Sequence, residues 1–225
     1  MFENEKPIQK DKLHDQVYDR LCTMLREGEF TPGEAVRVAR VSEAFEVSAM
    51  PVREALTRLL AIGVVANVSG RSVGVPALGY EELADLRDVR LEVETLAVQW
   101  AVRNREDDMF IDDLEALLVR LEKAEQAGDV RNYIKSNYDF HFRLYQQSKS
   151  VVLTEIINTL WLRVSPHLYR LEREDQFKVS NKHHRKIVQM IRKGDAQGAS
   201  EALADDISDA YDVLVRALFA PESAQ

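Results

Sequence analysis

The segment Val47-Ser48-Ala49-Met50-Pro51-Val52-Arg53-Glu54-Ala55-Leu56-Thr57-Arg58-Leu59-Leu60 decides how the rest of the chain is read. Ser48 stands where a helix takes its cap, because a small polar side chain there satisfies an orphan backbone N–H. Pro51 fits the first helical turn, whose N–H groups have no intrahelical acceptor. Val52, Leu56, Leu59 and Leu60 recur at helical spacing and predict one apolar face, with Arg53 and Thr57 on a neighbouring stripe that faces outward. Upstream, Val38 to Phe45 predicts another short helix, separated from the first by only Glu46-Val47-Ser48. Two short helices joined by a tight turn, the second opening on small residues and carrying arginines, outline a helix-turn-helix.

Working outward, Leu13, Val17, Leu21, Met24 and Leu25 predict a helix from Lys12 to Glu27, ended by Gly28 and the Thr31-Pro32-Gly33 turn. Residues 1–9 read as a loose arm. After Gly63, the run from Val64 to Pro76 holds two β-prone stretches around Asn67-Val68-Ser69-Gly70-Arg71, which predicts a hairpin with Arg71 at its tip. Three helices and a hairpin make a winged helix-turn-helix over residues 10–76. Pro76-Ala77-Leu78-Gly79 marks a boundary, and residues 80–220 show only helical periods. Helices are expected at 80–104, 106–127, 129–147, 150–173 (bent near Pro166), 175–193 and 195–219. Gly128-Asp129 and Gly194-Asp195 each read as a C′ glycine followed by an N-cap. The fold class is therefore mostly α, a winged helix-turn-helix followed by an all-helical antiparallel bundle.

Composition sets limits on partners and compartment. The 225 residues suffice for two domains, and apolar and charged fractions of 45% and 30% suit a soluble globular chain. No apolar run approaches the roughly 18–20 residues of a membrane span, and the acidic N-terminus lacks a secretory h-region. Cys22 is the single cysteine, which favours a reducing, cytoplasmic setting. The net charge of −8 is uneven: residues 1–78 hold ten Lys/Arg against eleven Asp/Glu, and the rest 20 against 27. Phosphate binding needs local rather than overall positive charge, so a near-neutral first domain does not exclude DNA.

Several residues carry a resemblance. Thr31-Pro32-Gly33-Glu34, Val47-Ser48, Pro51-Val52-Arg53-Glu54-Ala55-Leu56, Leu59, Leu60 and Gly63 stand in the first domain; Arg90 with Glu94, Phe140-His141, and His184 through Gly194-Asp195 stand in the second. In these the chain resembles GntR-type transcription regulators of the FadR branch with an FCD-type helical domain, from about Leu13 to Phe219. The resemblance implies a homodimer that binds double-stranded DNA, with Arg53 at a position the family uses for DNA. Ser48, Ala49, Met50, Thr57, Arg37 and the wing-tip Arg71 complete the expected DNA face. The chain also departs from the pattern. Ala35 and Ala49 replace arginines, Glu46 replaces a turn glycine, and Ser72 stands where the wing glycine is usual. An Arg that reads guanine is worth about 1–3 kcal/mol of discrimination, so the operator should differ from a typical member's.

In the second domain, polar residues fall on apolar stripes, where they are expensive without partners. Arg90 lies with Leu83, Leu86, Val93 and Ala97; Asn137 and His141 lie one turn apart; His184 sits beside Ile187, Val188 and Ile191; Asp206 sits between Leu203 and Ala210. A hairpin at Gly194-Asp195 puts His184 and Asp206 at similar height. Such convergence predicts a lined pocket in which Arg90, Asn137, His141, His184 and Asp206 meet a small anionic effector, a carboxylate. Two histidines and a carboxylate suit one divalent ion, Zn²⁺, Ni²⁺ or Mn²⁺. The metal-binding members' Asp, His, His, His set maps to Asn137, His141, His184 and Asp206, so two of four ligands are changed. A metal-free polar pocket is the other reading. His183 is expected to be solvated, Trp100 and Trp161 to be core, and His167 and Tyr169 to be core or surface despite lying near the pocket. His14 has no evident partner, Glu106-Asp107-Asp108 reads as a helix start, and Arg58 as a phosphate contact or a solvated residue.

These readings converge on a ligand-responsive regulator, not an enzyme. It would bind a near-palindromic operator as a homodimer, with repression the commoner mode in the family. The alternative is a metal-dependent helical enzyme using His141, His184 and Asp206. Against it stand the missing activated nucleophile and a helix-turn-helix left without a role.

Overall fold

The computed structural model describes residues 11–70, 72–173 and 181–219. Two compact units divide between Ala77 and Leu78. In the first, α1 (Asp11–Arg26), α2 (Val38–Phe45) and α3 (Ala49–Ala61) precede a hairpin of β1 (Ala66–Ser69) and β2 (Ser72–Gly74). Val17, Leu21 and Leu25 of α1, Val41 of α2 and Val52, Leu56 and Leu59 of α3 are buried, each worth about 1.5–3 kcal/mol against exposure. Two members of the expected stripes stay outside: Leu13 and Leu60 are exposed, and Ala55 is buried on the inner face of α3 instead.

Local chemistry explains the turns. Glu46 takes the left-handed conformation (φ 54°) that ends α2, and Val47 N–H reaches the Ser42 carbonyl at 3.0 Å. That is the glycine geometry the sequence departs from, and a non-glycine residue there carries a strain of about 1–3 kcal/mol. At the end of α3, Gly63 (φ 70°) lets Val64 N–H bond the Leu59 carbonyl at 3.0 Å, the Schellman closure. The wing pairs antiparallel with a register shift between Asn67 and Ser69. It is anchored by a bridge between Ala35 and Gly74 and by Val36 N–H on the Val73 carbonyl. A Cβ at Gly74 would lie 2.1 Å from the Glu34 carbonyl oxygen, so only glycine fits. Arg71 lies outside the described residues.

The second unit is helical throughout its described residues: α4 (Tyr80–Arg103), α5 (Met109–Ala127), α6 (Val130–Gln146), α7 (Val151–Arg173), α8 (Lys182–Lys193) and α9 (Ala196–Phe219). Gly128 and Gly194 both take the left-handed conformation, and Asp129 and Asp195 accept the N–H groups of Asn132 and Gly198. Helix α5 starts three residues later than expected. Glu106 is drawn to Lys149 and Asp107 accepts Met109 N–H, so the acidic trio forms the approach to the helix. Helix α8 is seen from Lys182, and residues 175–180 of the helix expected over 175–193 lie outside those described. Helix α7 runs through Pro166 without interruption. Helix α4 packs on α7 and α9, α8 on α9, and α5 on α6. Two apolar clusters result. The larger contains Phe110, Leu114, Phe140, Leu144 and Ile187, and the smaller contains Leu83, Leu86, Val164, Leu168 and Leu214.

Candidate functional site

The first unit presents an exposed face at the start of α3. Ser48, Ala49, Met50, Arg53 and Thr57 are all exposed, and Met50 keeps 69% of its surface. Ser48 is the N-cap residue by position, yet its side chain makes no capping bond, which corrects the expected cap and leaves the hydroxyl outward. Thr57 is less available than expected, because its hydroxyl donates to the Arg53 carbonyl at 2.9 Å. Arg37, the residue before α2, is exposed. Arg58 is exposed, as the solvated reading expects, and it is also engaged. It pairs with Asp15 at 2.8 Å and lies over the Tyr18 ring at 4.0 Å, which clamps α3 to α1. His14 likewise acquires a partner, with Nδ1 2.5 Å from Glu54.

The second unit gathers its polar residues inside. His141 Nε2 lies 3.2 Å from Asp206 Oδ2 and 3.3 Å from His184 Nε2, which is 3.9 Å from Asp206 Oδ1. His141 and His184 are buried, and the ligand atoms of all three residues lie within 4.8 Å of one another. On the other side of the His141 ring, Nδ1 is 3.2 Å from the Tyr145 hydroxyl, which donates to Glu94. Glu94 in turn holds Arg90 at 2.6 Å. Arg90, Asn137, His141 and Asp206 line one cavity, whose wall also includes Trp161.

Burial sets the charges. Desolvation pushes the His184 imidazole down to about 4, so it is neutral near pH 7. Burial also opposes the charge on Asp206, but His184 and the hydrogen bond from His141 hold its carboxyl well below the usual range. Arg90 stays charged: desolvation opposes it and the Glu94 pair more than compensates. Burial raises the Tyr145 phenol far above its ordinary value, with Glu94 adding to the effect, so it acts as a hydrogen-bond donor.

Residues 85–209 match the FCD domain, and residues 13–75 match the bacterial regulatory proteins of the gntR family. The chain belongs to the GntR family. The HTH-type regulator McbR of Escherichia coli K12 is 28% identical over 193 residues, covering 84% of this chain and 87% of that one. The solved structure of E. coli McbR/YncC superposes with a TM-score of 0.84 at 27% identity, over 92% of this chain and 98% of that one. The repressor NanR of Enterobacter sp. (strain 638) is 27% identical over 226 residues, covering 90% of this chain and 85% of that one. These GntR relatives are transcription regulators rather than enzymes, and the enzyme reading is set aside.

FCD domains in this family often bind a metal ion, and the donor chemistry here fits one. One imidazole nitrogen each from His141 and His184 and a carboxylate oxygen of Asp206, contributed by three different helices, converge on one point. Tyr145 with Glu94 buttresses the far side of the His141 ring. Together they make the donor set and outer support that a divalent cation takes. His141, His184 and Asp206 would hold the ion, with Asn137 on the cavity wall as a weaker carbonyl donor. When bound, the ion supplies positive charge for an anionic ligand.

The sequence reading missed Glu94 and Tyr145 as supports of this site. Arg90 and Glu94 are spaced four apart on a helix, the signal of a pair, and Tyr145 follows His141 at the same spacing. Trp161 is buried as expected and is also a cavity wall. His167 and Tyr169 are buried and outside the cavity lining, whereas Leu168 between them lines it. His183 pairs with Asp209 at 2.8 Å near the surface. Among the described residues, no helix is long and apolar enough to cross a membrane.

Proposed function

We propose that this GntR-family regulator is a cytoplasmic, ligand-responsive repressor that binds a near-palindromic operator as a homodimer. Residues 10–76 bind DNA, and residues 80–220 bind the effector and mediate dimerisation. Helix α3 enters the major groove, where Arg53 contacts a base edge or phosphate and Ser48 and Thr57 approach the backbone. Arg37 and Arg71 add flanking phosphate contacts, and Ala49 and Met50 offer apolar contact to a thymine methyl. Two-fold symmetry sets half-sites about one helical turn or less apart.

The effector is a small carboxylate in the cavity lined by Arg90, Asn137, His141 and Asp206, with His184 behind it. One divalent ion (Zn²⁺, Ni²⁺ or Mn²⁺) on His141, His184 and Asp206, with Asn137, shares its charge. The donor set supports the ion: Arg90 is already paired with Glu94, and Asp206 sets a carboxylate beside two imidazoles, a group whose negative charge a divalent cation offsets before an anion approaches. Effector binding would then shift the population of conformations that differ in DNA affinity. The repressor names of relatives such as NanR support the sign.

The observation that carries this reading is the pairing of an exposed α3 start, whose Ser48 makes no capping bond, with a cluster of metal-suited ligands, two buried histidines and a part-buried carboxylate, in one chain. Gel-shift titration of Arg53→Ala tests the first half: operator binding should weaken while effector binding persists. Normal operator binding by that variant would remove Arg53 from the interface.

A further inference from the structure

Helix α3 turns a narrow choice of chemistry to solvent. Its first turn, Ala49-Met50-Pro51-Val52, holds no charged side chain. Pro51 and Val52 are buried, whereas Ala49 and Met50 are exposed, Met50 with 69% of its surface free. At about 3.6 residues per turn and a rise of about 1.5 Å, Met50, Arg53 and Thr57 fall within about 60° of one another, in a row about 10 Å long. The charged neighbours of that row are engaged with α1: Glu54 lies 2.5 Å from His14, and Arg58 is paired with Asp15. Arg53 is the cation left in the row, with Met50 before it and Thr57 after it.

Thr57 does not offer its hydroxyl. That group donates to the Arg53 carbonyl at 2.9 Å, the back-bonding a threonine makes inside a helix. What this exposed residue turns outward is its γ-methyl. The Met50 side chain also ends in a methyl group, on a sulfur that is only a weak acceptor. The row is therefore apolar, cationic, apolar over about three base-pair steps of roughly 3.4 Å. Its two ends are unsuited to the donors and acceptors of a base pair. The apolar feature that the major groove displays is the C5-methyl group of thymine, and 5-methylcytosine carries the same group at the same place.

We propose that Met50 and Thr57 read the C5-methyl groups of pyrimidines on either side of the Arg53 contact, so that operator affinity depends on methyl groups in the major groove. This rests on α3 being the DNA-reading helix and narrows what that helix recognises: Thr57 reaches a base with its methyl rather than the backbone with its hydroxyl. The recognised group comes from thymine or from 5-methylcytosine, so cytosine methylation at these positions tightens binding.

The test selects a site from random duplexes with the full-length protein and then replaces each thymine in turn by deoxyuridine, which removes only the methyl. By fluorescence anisotropy, two replacements in each half-site should weaken binding about fourfold each, the worth of one buried methyl. At the same positions rebuilt as G·C pairs, 5-methylcytosine should bind about fourfold tighter than cytosine. Two variants assign the contacts, their folds checked by circular dichroism. Met50→Ala should abolish the methyl effect at one position, and Thr57→Ser, which keeps the hydroxyl and loses the methyl, at the other. Deoxyuridine tolerated everywhere, or cytosine and 5-methylcytosine bound alike, overturns methyl reading and leaves α3 as the DNA-reading helix. A methyl effect that persists in full in both variants arises in the shape of the duplex and overturns the assignment. Failure to select any site overturns the DNA-binding reading, and this one with it.

Discussion

The two units present their candidate groups in opposite ways. In the first, Ser48, Met50, Arg53 and Thr57 project from one short helix into solvent, and the neighbouring Arg58 is withdrawn onto Asp15 and Tyr18. In the second, the polar residues come from α4, α6, α8 and α9 and meet inside the bundle, where each depends on the next. An exposed set on one helix works nearly residue by residue, because water compensates any group left unpaired. A buried set works as a unit, because a lost partner leaves its neighbour desolvated. Substitutions should therefore have local effects in the first unit and spreading effects in the second.

The largest effect is expected from Asp206→Ala. Removing the carboxylate should lower Zn²⁺ affinity by at least about a hundredfold, beyond the 10–100-fold typical of outer partners, as read by competition with a chelating dye. Unchanged affinity would take Asp206 out of the ligand set. Tyr145→Phe is the sharper test of coupling inside the bundle. It deletes only the hydroxyl between His141 and Glu94, and a fall of about tenfold or more in metal affinity with retained helicity is expected. If that affinity stays put, the buried residues act singly after all.

Arg53→Ala should weaken binding to a selected operator by about 1–3 kcal/mol while Zn²⁺ affinity remains as in the parent. Loss of both functions would break the contrast between the units. The smallest effect belongs to Arg58→Ala. Its exposed pair and ring contact are worth about 1 kcal/mol together, visible as a modest drop in thermal stability. Operator affinity should be nearly unchanged, and a large loss would return Arg58 to the DNA face.

The same contrast explains what could be read from the chain. Helical spacing in α3, the Gly63 stop and the Gly128-Asp129 and Gly194-Asp195 junctions follow from local rules, and all are found where those rules place them. His184 and Asp206 were also legible as neighbours, because a tight hairpin fixes their height. The local rules went wrong where a distant partner intervened. Glu106 looked like a helix start, but Lys149, 43 residues away, draws it aside. Ser48 looked like a cap, yet its side chain makes no capping bond. Arg58 stays exposed as expected, but the partner that holds it, Asp15, lies on another helix and has no local signal. Glu94 and Tyr145 were visible only as helix-spaced neighbours of Arg90 and His141; their joint support of one imidazole depends on α4 crossing α6. Trp161 was legible as core, and its second role as a cavity wall required the third dimension.

The most direct test joins the two units in one titration. An operator is selected from random duplexes, and its affinity for the intact, Zn²⁺-loaded protein is measured by fluorescence anisotropy with and without each of a panel of small carboxylates. A near-palindromic site should emerge, and at least one acid should weaken binding about fivefold or more, an effect abolished by Asp206→Ala. No selected site, or an affinity unmoved by any small acid in the presence of metal, would contradict a ligand-responsive DNA binder.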